Sequence, residues 1–224
     1  MNQNNFSVIL KCLIVLIFSL FFFVSCADTS PSISSLHKTL IYEFNSEEER
    51  AQIKLSVFVD PSQDIRRSKS IEVFHPDTNF LWKIDSPQIY RDDKKSYFGY
   101  SSLVVPSGFD FPEGVFEFTY YDFADRTVKD SFSVNLLKSM VEQQDSFVKA
   151  EDVRLRNAGT ECTQKKIIVF DAVGKELFFG FYSKLIDNDE KILKLFPDAE
   201  TKRIYFCNHN NSIGILLPEE KINK

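Results

Sequence analysis

The residues of this chain that could do chemistry are few and scattered. Nucleophilic catalysis needs a Ser or Cys held by a base and an orienting group, and no G-x-S-x-G turn occurs in the sequence. A zinc site needs ligands at short fixed spacings, as in HExxH or paired CxxC. Here His37, His75 and His209 stand in three separate regions. His37 reads as a solvated linker residue. His75, before Pro76, and His209, among asparagines, read as turn residues. Asp122 and Asp125 are spaced as a carboxylate pair could be, but they fall in a hairpin turn, where Asp serves backbone hydrogen bonds. Asp187, Asp189 and Glu190 share the acid density of a calcium loop without its Gly or distal Glu, and helix capping accounts for them. These patterns assign no catalytic residue, no cofactor and no metal.

One cysteine carries a firmer chemical expectation. Beyond Lys11, the first charged side chain, residues 12–24 are apolar except Ser19, and Val24, Ser25 and Cys26 follow Phe23. As a helix that run would reach about 20 Å, short of the roughly 30 Å hydrocarbon core. It therefore reads as a signal peptide rather than a span. Its end resembles the lipobox of bacterial lipoproteins, with Phe23 where Leu is usual. The resemblance implies cleavage after Ser25, acylation (palmitate among the chains) of Cys26 and attachment to a membrane. The location implied is the bacterial cell envelope, lipid-anchored and periplasmic or surface-facing, with inner and outer membrane both open.

Two further groups follow from that compartment. Cys162 and Cys207 are an even pair, and disulfides persist outside the cytoplasm. A bridge would contribute about 4 kcal/mol in chain-entropy terms. The alternative is two buried thiols acting as small apolar groups. Tyr90, Tyr97, Phe98 and Tyr100 form an aromatic cluster denser than one sheet face requires. Exposed Tyr is a common recognition residue, so Tyr90, Tyr97 and Tyr100 are candidates for partner binding.

Composition bounds the rest. The formal net charge is −5, with 23 Phe and only 7 Gly. This argues for a packed core and against a disordered chain. The nearest approach to a basic block is Arg66-Arg67-Ser68-Lys69, which reads as a solvated loop. Nucleic-acid binding needs clustered Lys and Arg, so none is expected.

The elements that must position these residues are mostly strands. Residues 26–39, rich in Ser and Thr, read as a flexible tether. From Leu40 the pattern turns to period two, with Leu55, Val57 and Val59 alternating against Lys54, Ser56 and Phe58. Short strands separated by Pro, Gly and charged turns continue to residue 137. Gly114 leads into alternating aromatics at Phe116, Phe118 and Tyr120. Asp122 turns the chain, and Phe132, Val134 and Leu136 return it. This hairpin resembles the last one of bacterial immunoglobulin-like domains, with Phe116 standing where a corner Tyr is common. The resemblance implies a β-sandwich over 40–137.

Residues 138–160 are more polar and read as a connector, with a short helix and then a strand near Val153 and Leu155. Residues 161–224 alternate again around a turn at Gly174. Asp187 or Asn188 is placed to cap a short helix carrying Ile192 and Leu193. The expectation is a mainly β chain: signal peptide 1–25, tether 26–39, immunoglobulin-like sandwich 40–137, connector 138–160, and a small α+β unit 161–224. With no catalytic set, the functional expectation is an interaction or scaffolding module binding an envelope protein or glycan. The alternatives are an envelope hydrolase using acidic residues or an accessory subunit of an envelope assembly complex.

Overall fold

The computed structural model describes residues 30–91, 95–141, 148–156 and 162–223. Cys26 and the expected signal peptide lie outside them. The described chain is mainly β, with two packed sheets in a sandwich-like arrangement. The strands are β1 (Ile33–Glu43), β2 (Gln52–Pro61), β3 (Ser68–His75), β4 (Phe80–Ile84), β5 (Gln88–Arg91), β6 (Ser96–Leu103), β7 (Gly114–Asp122) and β8 (Thr127–Val134). They continue with β9 (Gln164–Asp171), β10 (Glu176–Phe181), β11 (Ala199–Cys207), β12 (Ile213–Leu216) and β13 (Glu220–Lys221). Among the described residues the short helices are α1 (Lys138–Val141), α2 (Ala150–Arg156) and α3 (Asp189–Leu195).

Period-two patterning explains the layers. On β2, Leu55, Val57 and Val59 are buried, while Lys54, Ser56 and Phe58 point the other way. The inward set joins Leu40, Phe98 and Leu103 and packs on Ile71, Val73, Phe116, Phe118, Tyr120 and Phe132 of the second sheet. That sheet has the order β4-β3-β7-β8. Phe116 lies at its aromatic centre, stacked on Phe132 with ring centroids 5.6 Å apart and beside Trp82 and His75. The Trp82 indole N–H donates to the Val104 carbonyl at 2.8 Å. His75 is buried, bonded to Thr78 Oγ1 and the Glu113 carbonyl, each at 2.9 Å.

The larger sheet runs β10-β9-β11-β12-β1-β2-β6-β5, with β13 beside β11. Its order departs from the expected layout in two places. Residues 33–39, expected as tether, are the first half of β1 and pair with β2 from Ile33 onward. Ser and Thr do not oppose a strand, and here their hydroxyls hold it. Ser34 Oγ bonds Ser62 Oγ at 2.9 Å, and Thr39 Oγ1 donates to the Asn211 carbonyl at 2.7 Å. The C-terminal strands do flank α3 as expected, but β12 pairs in parallel with β1. They therefore extend the sandwich sheet, and the chain from Ser32 onward is one compact unit.

The connector also differs. The segment expected as a strand near Val153 is α2, with Glu151 and Asp152 in its first turn and the Asp152 carboxylate accepting from Lys149 N at 3.2 Å. Acidic groups at the positive helix end favour that outcome. In α3 the N-cap is Asn188, whose side chain accepts from Lys191 N.

Candidate binding cleft

The outward face of the larger sheet is concave. Eight strands at about 4.8 Å spacing would hold the two ends of a flat sheet more than 30 Å apart. Yet Phe179 on β10 and Tyr90 on β5, from opposite ends of the order, line one cavity of about 700 Å³. His37, Ser56, Phe58, Gln88, Ile89, Tyr97 and Ser101 complete its lining. Register explains the membership. His37 pairs with Phe58, Phe58 with Gly99, and Tyr97 with Tyr90, so these side chains share one face. The volume and aromatic lining suit a ligand site, which typically spans roughly 300–1,000 Å³.

Two of the three candidate tyrosines meet there. The Tyr90 and Tyr97 rings lie 6.2 Å apart at 34°, and His37 meets the Tyr97 ring edge-on at 5.5 Å. Tyr90 is 62% exposed. Tyr100 does not join them. It pairs with Val57, one of the inward residues, and lines a separate hollow with Trp82 and Leu103. Proximity in sequence grouped the three tyrosines, and strand alternation separates them.

His37 was read as a solvated tether residue. It is a β1 residue whose ring bonds Ser35 Oγ at 2.9 Å and faces the cleft. The alternation of His37, Thr39, Ile41 and Glu43 opposite Leu40 and Tyr42 was the available signal.

Glycines fix the cleft floor. A Cβ on Gly99 would stand 2.6 Å from Phe58 Cα and 2.8 Å from its ring, so only Gly lets Phe58 lie across β6. Gly214 does the same for Tyr205, whose ring lies over the β12 backbone. Burial lifts the Tyr205 hydroxyl far above its ordinary range, and the nearby Cys207 and Cys162 sulfurs add to the effect.

Those two cysteines are buried and no disulfide joins them. The expected bridge gives way to a ladder in which Gln164, not Cys162, stands opposite Cys207. Cys207 Sγ contacts Gln164 Oε1 at 3.7 Å, and Cys162 Sγ contacts the Ile213 carbonyl at 3.9 Å.

Three acidic groups, Glu43 on the larger sheet, Asp122 on the second sheet and Asp189 at the start of α3, are held in ion pairs. Glu43 accepts from Arg203 Nη1 at 2.7 Å and from Lys54. Burial pushes its pKa up, but the two cations outweigh that and hold it below the usual range. Asp122, expected in a turn, is buried there and accepts from Ala124 N, Arg126 N and the Arg126 guanidinium. Burial raises its pKa and these donors lower it further, leaving it depressed. Asp189 accepts from the Lys202 ammonium and from the Asn223 backbone and side-chain N–H groups. Among the described residues no cluster of His, Cys, Asp and Glu has the geometry to hold a metal ion. Comparison with protein-family models and with curated proteins finds no match for this chain.

Proposed function

We propose that the protein is a lipid-anchored module of the bacterial envelope that binds a protein partner in the concave cleft. The observation that carries this reading is an aromatic cleft left open on a sheet whose opposite face, along β1, β2 and β6, packs on the second sheet. Uncovered apolar surface of this kind marks recognition sites. The cleft lies beside β5, an edge strand whose four residues are all exposed. An edge with unpaired backbone groups next to side-chain pockets suits an extended peptide added as a strand. A protein segment therefore fits this surface better than a glycan. Among the described residues lining the cleft there is no Asp or Glu, and the envelope-hydrolase alternative, which would use two facing acids, draws no support from that lining.

In-cell photo-crosslinking tests the reading. A photoreactive residue at Tyr97 should give one discrete protein adduct, and the same residue at Tyr100 should not. Equal adducts at both positions, or none at Tyr97, would overturn it.

A further inference from the structure

One rim of the fold gathers the chain entry, an exposed aromatic tip and several cations. The Ser32 carbonyl accepts from Ser62 N at 2.9 Å, and Ile33 pairs with Pro61, so β1 starts where β2 ends. The 3-10 turn Ile65–Arg67 follows directly. Its Arg67 carbonyl accepts from Phe123 N at 2.9 Å, tying the β7–β8 hairpin tip to the same rim. Phe123 is 69% exposed, and Arg67 is exposed beside it. Arg66 is exposed as well, bonded to Asp64, and Lys69 is bonded to Asp125. Lys95, bonded to Asp60 near the end of β2, and Arg91, paired with Ser96, add two cations at the same rim.

We infer that this rim docks on the bilayer surface, with Phe123 entering the interface and Arg66 and Arg67 meeting lipid phosphates. The inference rests on the acylation of Cys26 proposed above. Only residues 27–31 separate Cys26 from Ser32. Fully extended, that span reaches about 20 Å, at roughly 3.3–3.6 Å per residue. The tether is much shorter than the sequence suggested, because β1 takes up residues 33–39. A body held that closely has its entry rim nearest the membrane. Aromatic side chains with neighbouring cations are the groups that sit favourably at that depth. The opposite rim carries the β9–β10 turn with Val173, the most exposed large apolar residue described. Apolar exposure alone therefore does not distinguish the rims; the position of the chain entry does.

The test uses the acylated full chain in vesicles of phosphatidylethanolamine and phosphatidylglycerol. A fluorophore is attached at Phe123→Cys or, in a second variant, at Val173→Cys. Brominated lipids should quench the label at 123 at least twofold and leave that at 173 unchanged. Equal quenching at both positions, or quenching at neither, with the chain still floating with vesicles, overturns the docking and leaves the anchor standing. If Cys26→Ser floats as well as the parent chain, the anchor reading falls and the docking falls with it.

Discussion

The two faces of the larger sheet have nearly the same chemistry and opposite fates. Leu55, Val57, Val59 and Phe98 point inward, and Phe58, Tyr97, Tyr90 and Phe179 point outward. The inward set meets the aromatic side chains of the second sheet and disappears from water. Among the described residues the outward set has no covering layer, and curling brings its members together around a cleft. A sheet with two apolar faces normally needs two covers. Here one cover is built into the chain, and the exposed aromatics on the other side mark where something else is held.

The largest contrast should come from Phe116 against Phe58. Phe116→Ala removes the ring that packs on Phe132, Trp82 and His75, and should cost about 3–5 kcal/mol in urea unfolding. Phe58→Ala removes a ring lying on the open floor and should cost about 1 kcal/mol. Equal losses would mean that the concave face is a second core, and the contrast between faces would fail.

Much of the inward face was legible in the sequence. Alternation over 52–61 and 114–134 predicts the strands and which side chains they bury, because a strand face follows from parity alone. A helix cap at Asp187 or Asn188, found at Asn188, and the Gly174 turn were equally readable, since each rests on local backbone demands; Gly174 has φ 76°. The cleft was not readable. Parity says that Tyr90 and Phe179 point outward from their own strands. It does not say that β12 pairs with β1, or that the sheet curls until its two ends share a cavity. His37 was missed for a related reason. Its strand is held by hydroxyl bonds to Ser62 and Asn211, partners distant in sequence, so local composition resembled a tether.

A smaller effect separates the faces by pH. Tyr42 is an inward residue whose hydroxyl accepts from Leu137 N at 2.7 Å. Burial pushes its pKa up to about 12, despite the bond from Leu137. A group raised on folding favours the native state fully below its unfolded value of about 10, and this contribution is lost as pH rises toward 12. Stability should therefore decline between about pH 10 and 12. Tyr42→Phe should cost about 1 kcal/mol near neutrality and flatten part of that decline, as measured by urea midpoints across pH. An unchanged decline in Tyr42→Phe would mean that the inward hydroxyl is not buried as the structure has it, and the contrast between the faces would lose its inward half.

The smallest expected effect on stability is also the most specific to function. Tyr90→Ala removes a ring from an edge strand that is exposed along its length, so unfolding should shift by no more than about 0.5 kcal/mol. The same change takes away half of the Tyr90–Tyr97 pair at the mouth of the cleft. If the outward face exists to hold a partner, the crosslink yield from Tyr97 should fall several-fold while the urea midpoint stays in place. A fall in both together would mean that Tyr90 serves the sheet edge. An unchanged yield would place the partner's contacts deeper, toward Phe58 and Phe179. Because a core residue cannot lose its ring without loss of stability, a dissociation of the two measurements is available only on the uncovered face.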